Sequence, residues 1–165
     1  MFLDASPKEL VSTSQKIPLL RQTVSCGPGC NWEDNDIVEE FLEPLSLLPS
    51  LRGKDIYAFK VRGTSMVGAG IQDGDIVLFD ASFNSLYCTD DVYVFALDGG
   101  VFCKLLKFDP IKKTIKIYSV HSIKLEEAEE LRTLDCTNPD DIEVIHIFGR
   151  VVALLRENRL VKLEN

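Results

Sequence analysis

The chain has 165 residues, 45% of them hydrophobic, with 26 acidic against 18 basic side chains and a formal net charge of −8. That length and apolar content predict one domain with a buried core and exclude a globally disordered chain. The acidic balance argues against these residues gripping a phosphate backbone themselves, and no apolar run approaches the length of a membrane span or opens a secretory leader.

Five cysteines, Cys26, Cys30, Cys88, Cys103 and Cys136, are an odd and scattered number, and read as reduced thiols in a cytoplasmic protein. Cys26 and Cys30 form a C-x3-C pair with neither a second pair nor a nearby histidine, so no metal site is expected, and no cofactor motif is present. Residues 1 to about 16 are rich in Ser, Lys and Glu and read as a tether or as a short helix from Pro7 to Val11. Ile17-Pro18-Leu19-Leu20 is a short apolar anchor. Val24 to Cys30 then packs two glycines and a proline into seven residues, the composition of a turn or exposed loop. Val38 to Leu45 fits a helix or a strand, with Pro44 and Pro49 limiting any helix.

From Ile56 onward short β-type runs recur: Ile56 to Val61, Ile76 to Phe79, Asp91 to Leu97, Val101 to Phe108, Thr114 to Val120, Ile142 to Leu155 and Leu160 to Leu163. Asp73-Gly74, Asp98-Gly99-Gly100, Asp109-Pro110 and Asn138-Pro139 separate them, and the second of these is a hairpin signal. The charged segment Ile123 to Leu134 reads as a short, mostly solvated helix. The expected fold is therefore mostly β: a single compact domain of short antiparallel strands and hairpins over residues 37–165, preceded by an arm over residues 1–36.

Two places carry candidate chemistry. Phe59 and Val61 alternate into Gly63, and Ser65 follows just past it. Gly68-Ala69-Gly70 and Asp73-Gly74-Asp75 then lead into the apolar run from Ile76. A serine at a strand exit beside glycine has an accessible Oγ and free backbone amides, although an ordinary β-loop-β connection has the same pattern. In the hairpin after Gly100, alternation puts Phe102 and Lys104 on one face and Val101 and Cys103 on the other. Partial burial lowers a lysine pKa and lets the neutral amine accept a proton from a serine, whereas a solvated hairpin lysine does nothing. Lys107 fits the solvated role. His121 and His146 form no Ser-His-Asp arrangement that order alone supports.

Val61-Arg62-Gly63-Thr64-Ser65-Met66, Gly70-Ile71-Gln72-Asp73-Gly74-Asp75 and Gly100-Val101-Phe102-Cys103-Lys104-Leu105, in that order, resemble the self-cleaving Ser–Lys domain of LexA, phage repressors and UmuD. Ile147-Phe148-Gly149-Arg150-Val151-Val152 looks like the domain's closing strand. The resemblance covers residues 15 to 157 and implies the β-clip fold of that domain, with the arm carrying a cleavage loop. Ile17-Pro18-Leu19-Leu20 followed by Val24-Ser25-Cys26-Gly27 is similar to the family's cleavage region, which implies a scissile Cys26-Gly27 bond. Gly27 permits the kinked backbone and Cys26 fits a shallow pocket, although alone this segment is an ordinary flexible turn. The resemblance further implies Ser65 as nucleophile, Lys104 as base, the Thr64 and Ser65 amides as oxyanion donors, and no cofactor. One departure is Ser119-Val120-His121-Ser122, where relatives tend to have an Asn-rich turn.

Three members of that class compete. A LexA-like or phage-type transcriptional repressor would bind DNA through a separate N-terminal domain and be cut in the SOS response to DNA damage, triggered by a RecA filament. A UmuD-like protein would serve a translesion polymerase after the same cut. A signal peptidase would act in trans and require a membrane anchor, which is not visible. A β-rich binding module without activity is the non-enzyme alternative. Relatives dimerise, so a homodimer is expected, formed along a β edge at Ile145 to Leu155.

Overall fold

A computed structural model describes residues 16–21, 38–42, 51, 53–122, 127–157 and 159–161. Among these residues ten strands form one sheet: β1 (Ile17–Leu20), β2 (Val38–Leu42), β3 (Ile56–Lys60), β4 (Ile76–Asp80), β5 (Asp91–Leu97), β6 (Gly100–Asp109), β7 (Thr114–Ser119), β8 (Glu129–Asp135), β9 (Ile145–Arg156) and β10 (Arg159–Val161). The order is β2-β1-β3-β4-β9-β5-β6-β7-β8, with β10 paired to β9; only β1 and β3 run parallel. The architecture is mostly β, as the sequence predicts. Among the described residues no helix is long and apolar enough to cross a membrane.

The apolar runs of the central strands are continuous because those strands are covered on both sides. Val77 and Phe79 of β4 enter the core around Met66, Ile71, Phe148 and Leu154, while Leu78 between them enters a second core with Ile17, Leu19, Ala58 and Ala153. β5 does the same: Val92, Val94 and Ala96 join the first core, Tyr93 and Phe95 a third with Leu106, Ile115, Ile117 and Leu134. Burial on two faces replaces the period-2 alternation expected of a half-solvated strand.

The Asp98-Gly99 turn closes β5 onto β6 with both residues in the left-handed region, φ 50° and 86°. Their pairing with positive φ is what a two-residue hairpin requires, and the sequence signal there holds. The next turn holds as well: Asp109 Oδ1 accepts from the amides of Ile111 and Lys112, and β6 continues into β7.

Three expectations change. The described part of the segment ending at Leu134 is mainly strand: after Glu127 in a 3-10 turn, Glu129–Asp135 is edge strand β8, whose only fully buried side chain is Leu134, so its sequence shows no apolar periodicity of either kind. The run from Ile142 begins as helix rather than strand. Pro139–Val144 form α1, started by Asn138 Oδ1 accepting from the Asp140 amide, by Pro139 in the first turn and by acidic residues there. β9 then starts at Ile145. Finally, Ile145 to Leu155 is not an outer strand of the sheet: β9 lies between β5, which pairs with its first half, and β4, which with β10 pairs with its second. The proposed helix at Pro7 to Val11 lies outside the described residues.

Candidate active site

Ser65 lies in the connection between β3 and β4, and a nested set of contacts holds that loop. The Val61 amide donates to Asp75 O (2.8 Å) and the Gly74 amide to Val61 O (2.9 Å), carrying the ladder past the strand ends. The Gly63 amide donates to Asp73 Oδ1 at 2.7 Å. After Ser65 the chain turns through a single 3-10 turn, Val67–Ala69, and leaves it at Gly70 with φ 85°. Met66 O accepts from the amides of Ala69 (3.0 Å) and Ile71 (3.2 Å), while the Met66 and Ile71 side chains are buried as anchors.

Asp75 ties this loop to the end of β9. Its carboxylate is 2% exposed and takes Arg156 Nε at 2.9 Å, Arg156 Nη2 at 2.8 Å and the Gln72 amide at 2.7 Å. Arg156 Nη2 also donates to Gly70 O at 3.0 Å. Burial pushes the Asp75 carboxyl up, but the bonds from Arg156 and Gln72 outweigh it and hold the group below the usual range. Arg156→Ala leaves that buried carboxylate with the Gln72 amide alone and is expected to destabilise the domain, read as a lower urea midpoint. Because the folded pKa is depressed, the clamp contributes fully above the ordinary aspartate pKa. It fades as pH falls through the folded value, so parent and variant should converge in acid.

Lys104 reaches the loop from β6. It sits opposite Tyr93 of β5, and one further step of the β6–β7 register from the Leu105–Tyr118 pair sets it opposite Ser119. Lys104 Nζ donates to Ser65 Oγ in a short hydrogen bond and to Ser119 Oγ at 3.2 Å. Burial lowers the Lys104 pKa, opposed by the Cys103 thiol and the Glu129 carboxylate. Cys103 faces the core, where burial pushes its thiol up to about 12, so it stays neutral. Lys107 lies over the Tyr118 ring, 5.2 Å from its centroid.

The end of β7 docks on the serine loop. The Val120 amide donates to Ser65 O (2.8 Å) and the Gly68 amide to Val120 O (2.8 Å). A Cβ on Gly68 would lie 2.1 Å from Ser122 O, so the approach requires glycine there. Ser65, Lys104 and Ser119 therefore meet through three separate elements. Among the described residues the Thr64 and Ser65 amides meet no acceptor.

Sequence reading missed Ser119. It is 2% exposed and looks like any β-strand serine; the available signal was register, since counting back from the Asp109–Thr114 pair puts it opposite Lys104. The histidines stay out of the site chemistry: His121 Nε2 is 3.3 Å from Glu129 Oε2, and His146 packs edge-on to Phe148 with its pKa lowered by burial. Cys26 and Gly27 lie outside the described residues. β1, which precedes them in the chain, is paired between β2 and β3.

Two curated relatives share this sequence at length. A LexA repressor from Roseiflexus sp. (strain RS-1) is 32% identical over 143 residues, covering 86% of this chain and 60% of the relative. A LexA repressor from Carboxydothermus hydrogenoformans is 29% identical over 122 residues, 74% of this chain and 54% of the relative. The chain thus spans a little over half the length of the curated relatives it matches. The Peptidase S24-like family model matches residues 18–152, nearly the whole of the described sheet, and the chain belongs to that family.

Proposed function

We propose that this chain is the self-cleaving serine peptidase portion of a LexA-like or phage-type repressor, with Ser65 as nucleophile, Lys104 as base and Cys26-Gly27 as the bond cut in cis. The observation that carries the reading is the Lys104 amine hydrogen-bonded to the Ser65 hydroxyl in a half-buried setting. A neutral amine in that position takes the Ser65 proton as Oγ attacks the Cys26 carbonyl carbon. The amides of Thr64 and Ser65 receive the developing oxyanion. The resulting ammonium returns the proton to the departing Gly27 nitrogen as the peptide bond breaks. Water, deprotonated by the same amine, then hydrolyses the Cys26 ester and frees Ser65. Ser119 Oγ accepts one Lys104 N–H and so turns the amine lone pair toward Ser65.

Repressor relatives favour DNA regulation over the polymerase-accessory alternative. On this reading a separate DNA-binding domain makes the operator contacts, a RecA filament formed after DNA damage triggers the cut, and the chain works as a homodimer in the cytoplasm.

Lysine as base sets the pH dependence. Burial lowers its pKa, yet the ordinary value is about 10.4, so the neutral fraction is small near pH 7 and grows with pH until the folded pKa is passed. Self-cleavage is expected to accelerate from neutral pH into the alkaline range and then level off, with intact-mass measurement placing the cut after Cys26. A flat profile between pH 7 and 10, or a cut elsewhere, would refute the assignment.

A further inference from the structure

β5 to β8 place four side chains in one cross-strand row: Tyr93, Lys104, Ser119 and Glu129. Tyr93 pairs with Lys104, Lys104 hydrogen-bonds Ser119, and Ser119 pairs with Glu129 on β8. Neighbouring strands lie about 4.8 Å apart, so Glu129 sits two strand spacings from Lys104 with one buried hydroxyl between them. His121, two residues past Ser119, closes on the same carboxylate, 3.3 Å from Nε2 to Oε2.

The other groups around Lys104 carry no opposing charge at neutral pH. From β5 comes Tyr93, whose hydroxyl donates to Thr89 O and whose ionisation burial pushes up. From β6 itself comes the neutral Cys103, from the serine loop Ser65, and from β7 Ser119. Further along β8, Glu130 is engaged by Lys116 at 3.7 Å and by Thr133. Glu129 is the carboxylate whose field reaches the amine among the described residues.

We propose that Glu129 is a latency residue acting through Lys104: its carboxylate, held by His121, favours the ammonium over the amine and so restrains self-cleavage at neutral pH. This rests on Lys104 being the base. A base that must be neutral to work is slowed by any anion that stabilises its protonated form, and the restraint disappears where the amine is neutral anyway. The Glu129 side chain is 62% exposed, so the interaction is screened and modest, in the range of surface charge pairs.

The test compares Glu129→Gln with the parent chain in self-cleavage from pH 7 into the alkaline plateau. At pH 7 and low salt the variant is expected to cut about two- to fivefold faster. The two rates should converge on the plateau. They should also converge at 1 M salt, where the screening length is about 3 Å. A slower or unchanged variant at pH 7, or a difference that persists on the plateau or in high salt, overturns the proposal. A second readout needs no cleavage: in the Ser65→Ala background the Lys104 13Cε resonance should titrate at lower pH when Glu129→Gln is added, and an unmoved titration also overturns it. Parent chains that are not cut at any pH would sink the peptidase reading and this restraint on cleavage together. Cutting by the parent with an unaltered Glu129→Gln profile sinks this inference alone.

Discussion

Ser65→Ala should stay whole through an alkaline incubation that cuts the parent chain in two, and so should Lys104→Ala. Removing the serine removes the only hydroxyl that Lys104 shares with the serine loop, and no covalent intermediate can form. Removing the base costs about 10²- to 10⁴-fold, because the hydroxyl must then lose its proton to water. The two replacements differ in what they do to the fold. Ser65 is partly buried in a loop held by backbone hydrogen bonds and by the Asp73, Asp75 and Arg156 side chains, contacts none of which its hydroxyl makes, so its truncation should leave thermal stability near that of the parent. Lys104→Ala strips a partner from Ser119, a hydroxyl 2% exposed, at a cost of about 1–3 kcal/mol. Lys104→Arg separates the two effects: it keeps donors for Ser119 but never becomes neutral in the working range, so it should fold and remain uncut at every pH. Cutting by either alanine variant at the parent's rate would remove the dyad.

How much of this was legible in the sequence depends on the distance over which each feature is encoded. Ser65 and Lys104 announce themselves through neighbours, glycines and an alternating strand in one case and a two-residue hairpin turn in the other. Their meeting across 39 residues is a property of the sheet, and only the resemblance anticipated it. Ser119 and Glu129 belong to the same row but carry no local mark. Ser119 is a small residue in a β run, and its role comes from register alone. Glu129 sits on an edge strand with one solvated face and a mostly exposed ladder, so the run of Glu and Lys around it imitates a helix surface. β9 fails differently: its twelve residues serve β5 first and β4 afterwards, and a continuous apolar run shows neither the change of neighbour nor its interior position. The helix before it was readable, since Asn138-Pro139-Asp140-Asp141 is an N-terminal capping pattern.

Gly68→Ala tests whether geometry alone sustains the site, because it touches no group with chemistry. The added Cβ would lie 2.1, 2.4 and 2.6 Å from Ser122 O, C and N, all backbone atoms that cannot rotate aside. Ordinary contact begins at about 3.4 Å, so the 120–122 segment or the turn over Val67–Ala69 must move by roughly 1 Å. Both hydrogen bonds that join them, Gly68 N–H to Val120 O and Val120 N–H to Ser65 O, are in the path of that movement. Ser119 is the residue before Val120, so a shift displaces the nucleophile and the hydroxyl that orients Lys104 relative to one another. Misplacement on that scale costs about 10²-fold in rate. The first core reaches the disturbed segment through Met66, Ile71 and Val120, but the second and third cores contain none of it, so the domain should remain folded, with its far-UV circular dichroism unchanged and a loss in thermal midpoint. Self-cleavage should fall about a hundredfold at every pH while the alkaline rise keeps its shape, since Lys104 retains its surroundings on β6. A Gly68→Ala chain that cuts at the parent's rate would show that docking of the β7 end does not position Ser65.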